Sequence, residues 1–312
     1  MTERPLLLVI TGPTATGKSA VAVEVALKVN AEIISADSMM VYRGMDIGTA
    51  KPTLSERKGV PHHLVDVVDP DEDFSVATFQ TLAVELIRAI NARGRLPVLV
   101  GGTGLYIRAV LDGYRFSGGV DKDLRHRLMM EARRFGPAYL HSRLSAVDPE
   151  TAERLHPNDS KRIIRALEIF YQAGSPASKT VSLAADPQYN SLIYGLLLER
   201  QELYRRIEAR VEAMLAAGLV EEVGGLLKGG LRRGAISMQA LGYKEIAAYL
   251  AGEISLDEAV YLLKRDTRRF AKRQLTWFRR DERICWLDVS KYSGPESLAE
   301  EIATGVKEYF RR

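Results

Sequence analysis

The 312-residue chain has a single cysteine, Cys285. One thiol can build neither an internal disulfide framework nor a multi-cysteine zinc site, so neither staples this fold. Long apolar runs are also missing. The longest, Leu6-Leu7-Leu8-Val9-Ile10 and Leu96-Pro97-Val98-Leu99-Val100, are strand-sized, well below the roughly 18 residues of a membrane span. The opening Met1-Thr2-Glu3-Arg4-Pro5 runs into an apolar stretch without a signal-cleavage pattern. These absences predict a cytoplasmic protein with no membrane partner. Neither sign of charge dominates: 44 Lys and Arg against 40 Asp and Glu leave +4, an excess that matters only where it clusters. With 46% hydrophobic and 27% charged residues, the composition is globular, which excludes a disordered chain, a collagen-like fibre and a coiled-coil rod.

What is present is an alternation of strand and helix patterns. Leu6 to Thr11 reads as a strand buried on both faces, followed by a Gly-rich turn and a helix from Ser19 to Asn30. Ile33 to Ala36 and Leu96 to Val100 are further buried strands, and Phe74 to Arg93 is a helix stopped by Gly94. Asp37 to Asp73, rich in Gly, Pro, His and Asp, reads as long functional loops. This alternation predicts an α/β fold with a parallel sheet. From about residue 116 to 190 the pattern is of short helices only, a helical insertion between a first core segment (1–115) and a completing segment (191–312). The last segment is mostly helical, with Leu256 to Arg280 the longest stretch and Ile284 to Asp288 a final strand.

Gly12-Pro13-Thr14-Ala15-Thr16-Gly17-Lys18-Ser19 matches G-x-x-x-x-G-K-[ST] between a strand and a helix, the context this phosphate-binding motif requires. Its glycines let backbone amides and the helix N-terminus converge on an anion. Lys18 adds a point charge, and the Ser19 hydroxyl is a candidate ligand for Mg²⁺. The motif specifies a diphosphate or triphosphate, not ATP. The clearest second buried strand ends in Gly101-Gly102-Thr103, without the acid that an NTPase places there. Asp37, just past the second strand, falls at the sheet edge where α/β folds bind ligands. It could bind Mg²⁺, cap a helix or act as a general base.

Between Lys264 and Arg283 stand nine Lys or Arg and three acids, interleaved with Phe270, Trp277 and Phe278. Lys264, Arg268, Lys272 and Arg279 fall near one helical face, as expected of a phosphate-tracking helix with stacking aromatics or, equally on pattern alone, of a solvated helix face. His62 and His63 have no further ligands at zinc-like spacing and read as structural, and Cys285 reads as a small buried residue.

Taken in order, several segments resemble the tRNA dimethylallyltransferase (tRNA isopentenyltransferase) family. Beside the Gly12–Ser19 loop they are Ser35-Ala36-Asp37-Ser38-Met39-Met40-Val41-Tyr42, Met45-Asp46-Ile47-Gly48-Thr49-Ala50-Lys51-Pro52, Pro61-His62-His63-Leu64 and Gly101-Gly102-Thr103-Gly104-Leu105-Tyr106. Then come His156-Pro157-Asn158-Asp159, Leu241-Gly242-Tyr243-Lys244-Glu245 and Lys272-Arg273-Gln274-Leu275-Thr276-Trp277-Phe278-Arg279. The resemblance implies a P-loop-kinase-like core that transfers a dimethylallyl group from dimethylallyl diphosphate to N6 of the adenine 3′ of the tRNA anticodon, with Mg²⁺; the chain is separately expected to be a monomer.

It further implies that Asp37 is the general base and that Thr103 contacts donor and tRNA. Gly12, Pro13, Thr14, Ala15, Thr16, Gly17, Lys18 and Ser19 would hold the diphosphate, with Ser19 at the metal. Contacts to the tRNA anticodon stem-loop would come from Asp37, Ser38, Met39, Met40, Thr103 and Arg125. Further contacts would come from Lys161, Arg162, Ile163, Ile164 and Arg165, and from Gln239, Ala240, Leu241, Gly242, Tyr243 and Lys244. The last set is Lys272, Arg273, Gln274, Leu275, Thr276, Trp277, Phe278 and Arg279. Two positions depart from the family pattern: Lys161, where members often carry Gln, and Gln239, where some carry Arg. Arg268 or Arg273 is then the candidate for the missing diphosphate charge. An ATP-dependent P-loop small-molecule kinase is the alternative, and a non-catalytic RNA-binding module a third reading.

Overall fold

Leu6–Thr11 forms β1, whose side chains from Leu7 onward are buried, as a strand covered on both faces demands. The computed structural model describes residues 4–116, 121–180 and 187–310. After β1 come helix α1 (Lys18–Val29), β2 (Ala31–Ser35), the two-residue β3 (His62–His63), α2 (Val76–Ala92), β4 (Leu96–Gly101) and α3 (Gly104–Leu111). Five helices follow: α4 (Lys122–Phe135), α5 (Pro137–Val147), α6 (Pro149–Arg154), α7 (Ser160–Ala173) and α8 (Ala177–Thr180). The chain then returns through β5 (Asn190–Leu197), α9 (Arg200–Ala216), α10 (Leu219–Lys228), α11 (Tyr243–Leu250), α12 (Leu256–Phe278), β6 (Ile284–Asp288) and α13 (Pro295–Phe310).

The six strands form one sheet in the order β3-β2-β4-β1-β5-β6, and every pairing is parallel. β1 is held between β4 (Leu8 opposite Val98) and β5 (Leu6 opposite Asn190), so the turn that follows it opens mid-sheet. Helices cover both faces. Val21 and Val25 of α1 and Leu298, Ile302 and Val306 of α13 close one side. Phe79, Ala83 and Ile87 of α2 and Tyr106, Ile107 and Val110 of α3 close the other. A further cluster, built on Val211, Met238, Tyr243, Ile246 and Leu263, joins the C-terminal helices to Val41, Tyr42 and Met45 of the long loop.

The chain separates into two compact units, one of residues 1–111 with 187–312 and one of residues 112–186. The second has its own core of Leu124, Leu128, Leu140, Leu144, Ile163 and Leu167, drawn from α4, α5 and α7. Among the described residues no helix is long and apolar enough to cross a membrane.

Two local expectations change. His62–His63, read as loop, is strand β3: His63 Nε2 lies 2.7 Å from the buried Glu32 carboxylate, which also takes Arg93 (2.8 Å) and Arg95 (3.1 Å). No group of three or more His, Cys, Asp or Glu among the described residues could hold a metal ion. Cys285 is exposed rather than buried, because β6 is the edge strand and its residues face alternately in and out.

Candidate active site

The turn after β1 carries the geometry its sequence predicts. Gly12 has φ +137°, and a Cβ there would strike the Leu196 carbonyl of β5, so only glycine fits. Ala15 (φ +65°) and Gly17 (φ +85°) also lie in the left-handed region. Gly17 caps α1 without any side-chain hydrogen bond, which leaves the first-turn amides of α1 open to an anion. Inside the turn, Thr16 Oγ1 donates to the Pro13 carbonyl at 2.9 Å, and Lys18 Nζ donates to the same oxygen at 2.6 Å.

A cavity of about 90 Å³ opens beside this turn. It is lined by Thr14, Lys18, Ser19, Asp37, Arg210 and Gln274 among others, and Asp37 is its only acid among the described residues. Lys18 as a residue is half-buried, but its ammonium points inward, so loss of hydration falls on the charge itself. That burial, reinforced by the nearby Arg210 charge and opposed by Asp37, pulls the Lys18 pKa from 10.5 down to about 7. Burial likewise lowers Arg210, again with Asp37 opposing. Two cations crowd one carboxylate, an arrangement short of negative charge.

Asp37 sits one residue beyond the buried Ala36, where β2 ends at the same sheet edge as the turn. Its Oδ1 accepts the Met39 amide at 2.8 Å, and Oδ2 has no hydrogen-bond partner among the described residues. Thr103 is fixed opposite: its amide donates to the Ala36 carbonyl (3.3 Å), and its Oγ1 accepts the Ser38 amide (3.1 Å). Ser38, Met39 and Met40 stay partly exposed around this rim. The Ser19 hydroxyl is exposed at the start of α1, and no acid follows β4. An oxygen-seeking divalent cation would find there the Ser19 hydroxyl and the anion's own oxygens, hard donors that suit Mg²⁺.

Arg210 is the residue that the sequence did not single out. It lies on α9 among Arg200, Arg205 and Arg206, and only packing turns it, and not the others, into the cavity. Neither Arg268 nor Arg273, the candidates named from sequence, lines that cavity. Arg268 is bonded to Glu208 of α9 at 2.7 Å, and Arg273 lies over the Phe270 ring.

The expected RNA-contact segments divide by exposure. Lys272, Arg273, Thr276 and Trp277 of α12, and Arg279 just past its end, face outward, with the Trp277 indole lying against Gly104. Lys272, Arg273 and Arg279 have no ion pair among the described residues, whereas Lys264 is paired with Glu212. Leu275 is half-buried, and Gln274 and Phe278 are buried. Gln274 and Phe278 lie on the inner face of the helix. Tyr243 is fully buried as well. Its hydroxyl donates to Glu222 at 2.5 Å, and burial together with that carboxylate raises its pKa. Ala240 and Gly242 are buried beside it, Leu241 is half-buried, and Gln239 and Lys244 remain exposed.

In the insertion, Ile163 and Ile164 belong to the core, while Lys161 and Arg162 are exposed and Arg165 half-buried. Arg125 is held by Glu168, which is fully buried and accepts Nε at 2.6 Å and Nη2 at 2.7 Å. Arg125, Arg133 and Lys161 line a groove of about 560 Å³ floored by Met129, Ala132 and Ile164.

A six-stranded parallel sheet flanked by helices, with a glycine-rich turn after a central strand that opens beside two cations and a carboxylate, defines a mixed α/β protein with a site suited to an anion. Comparison with known proteins gives the family. A family model described as IPP transferase matches residues 40–281, and one described as isopentenyl transferase matches residues 5–67. The tRNA dimethylallyltransferase of Desulforudis audaxviator is 59% identical over 309 residues, covering 99% of this chain and all of that one. That of Pelotomaculum thermopropionicum is 55% identical over 299 residues, with 95% of each chain covered. The crystal structure of the full-length tRNA isopentenylpyrophosphate transferase of Bacillus halodurans, 46% identical, superposes with TM-score 0.75 over 99% of this chain and 97% of that one. A eukaryotic dimethylallyltransferase captured acting on tRNA, 29% identical, gives TM-score 0.83 over 98% of this chain and 79% of that one. The chain belongs to the tRNA dimethylallyltransferase (IPP transferase) family.

Proposed function

We propose that the protein transfers the dimethylallyl group of dimethylallyl diphosphate to N6 of the adenine immediately 3′ of a tRNA anticodon, as a cytoplasmic monomer. The observation that carries this reading is one cavity holding an uncapped anion turn, the cations Lys18 and Arg210 and a single carboxylate, Asp37. The turn amides, Lys18 and Arg210 receive the diphosphate and meet the charge that grows as the C1–O bond breaks. Mg²⁺, held by Ser19 and the diphosphate's own oxygens, would share that charge. An adenine amine is a poor nucleophile because its lone pair is delocalised into the ring. Asp37 Oδ2, unengaged in the protein, accepts the N6 proton as the new C–N bond forms, a contribution of about 10²–10⁴ in rate. Thr103 steadies the Asp37–Met40 rim and contacts both reactants.

The base must leave its stack to reach the cavity, at a cost of a few kcal/mol that is least for a loop nucleotide. Lys272, Arg273 and Trp277 on α12 and Arg279 just past its end, together with Arg125, Lys161, Arg162 and Arg165 in the insertion, hold the anticodon stem-loop by phosphate and stacking contacts. The kinase alternative leaves these cationic surfaces without a task, and the family supports the prenyl transfer.

The test is incubation with radiolabelled dimethylallyl diphosphate and Mg²⁺, with unmodified tRNA or AMP as acceptor. Label entering tRNA alone is expected. Label entering AMP, or phosphorylation at the expense of ATP, would end the reading. Asp37→Ala should abolish transfer while donor affinity stays within about threefold, since the carboxylate acts on the acceptor.

A further inference from the structure

Gln274 belongs to the segment expected to contact RNA, yet it is buried, and both ends of its amide are committed to the protein. Its Oε1 accepts the Thr14 amide at 2.9 Å, and its Nε2 donates to the Gly102 carbonyl at 2.9 Å. One partner can only donate and the other can only accept, so the amide has a single possible orientation. Glutamine suits the position because it offers one donor and one acceptor at this reach, where glutamate has two acceptors and leucine neither. The approach is close enough that a Cβ on Gly102 would collide with Nε2. Gly102 immediately precedes Thr103, and Thr14 is the third residue of the anion turn. The Thr11 hydroxyl, donating to the Gly101 carbonyl at 3.0 Å, is a second tie between the same two segments.

We propose that Gln274 is a positioning residue that locks the anion turn and the Gly102–Thr103 turn into one fixed unit, and that α12 thereby links its outer, RNA-facing side to the donor cradle. On the outer side of the same stretch stand Lys272, Arg273 and Thr276, so RNA seated there bears on the helix that carries the lock. This rests on the prenyl-transfer reading for its reaction, though not for its geometry.

The experiment compares Gln274→Leu and Gln274→Glu with wild type in the full-length protein. It measures kcat and KM for dimethylallyl diphosphate at saturating tRNA, and Kd for tRNA separately. With both hydrogen bonds gone, Gln274→Leu should raise the donor KM about tenfold and lower kcat by a similar factor while tRNA Kd stays within about twofold. Gln274→Glu, unable to donate to Gly102, should not rescue it. Donor KM and kcat within twofold of wild type, or a loss confined to tRNA Kd, would overturn the proposal, the latter making Gln274 an RNA contact. If neither variant folds, hydrogen exchange on donor-free wild type decides: the Thr14 amide should be protected, and free exchange there would equally overturn it. Wild type that transfers no prenyl group to tRNA refutes the functional reading alone, because the exchange measurement does not depend on it.

Discussion

Lys18 titrates near neutrality in the free protein because its ammonium is buried beside Arg210, with Asp37 as the only nearby compensation. A diphosphate entering the cavity supplies the missing negative charge and should return the lysine to its ordinary range. Donor binding therefore takes up a proton. With a pKa of about 7 free and about 10.5 bound, uptake at pH 8 is about 0.9 proton per donor, and affinity falls roughly 25-fold from pH 7.5 to 9. The donor's own terminal phosphate, with a pKa of about 6, is already ionised over this range and does not contribute. Isothermal titration calorimetry in two buffers of different ionisation enthalpy reads the uptake directly. Lys18→Met should bind weakly at every pH, with the dependence gone.

The donor-free protein should show the opposite trend. Its folded Lys18 pKa lies below the unfolded one, so between pH 7 and 10.5 the unfolded chain holds more protons, and this group's contribution to stability grows as pH rises. A donor affinity that is flat between pH 7.5 and 9, or calorimetry showing no buffer dependence at pH 8, would refute the argument.

Arg210→Ala should raise the donor KM by about 10–100-fold with tRNA Kd unchanged, read by steady-state kinetics and filter binding, since it removes a cation from the donor end only. Reversing Lys272 and Arg273 to Glu should weaken tRNA binding and reduce its slope against log salt by about 2 or more, measured between about 50 and 200 mM salt. Glu222 accepts the amides of Asp46 (2.9 Å), Ile47 (2.8 Å) and Gly48 (3.2 Å) as well as the Tyr243 hydroxyl (2.5 Å). Glu222→Ala strands these donors and should cost about 2–4 kcal/mol in urea unfolding.

The anion turn was legible because its spacing is dictated by backbone geometry: glycines where φ is positive, then lysine and a hydroxyl at the first turn of α1. The sheet was legible from the apolar runs of β1 and β4, which have no solvent-facing side to interrupt them. Which member of a charged helix enters the cavity was not legible, since Arg210 differs from Arg206 or Arg205 only in the direction it faces once α9 is packed. Matching a whole motif likewise cannot separate Gln274 and Phe278 from their exposed neighbours Lys272 and Arg273. In α7 the run Ile163, Ile164 and Leu167 carries a helical apolar period that marks the inner face of the helix. Cys285 followed its apolar neighbours into an expected interior, because strand order, and hence edge position, depends on pairings far apart in the chain.

The bond between Thr14 and Gln274 spans 260 positions of the chain, and β1 waits for β5 to complete its pairing. During synthesis, a nascent chain that has released the glycine turn and both flanking strands from the ribosome still lacks the helix that braces them. Such non-local closure is slow to form. It also means that a polypeptide cut short before α12 would carry an unbraced turn and none of the α12 cations. Prematurely terminated copies are thus expected to be inert, instead of competing for donor or acceptor.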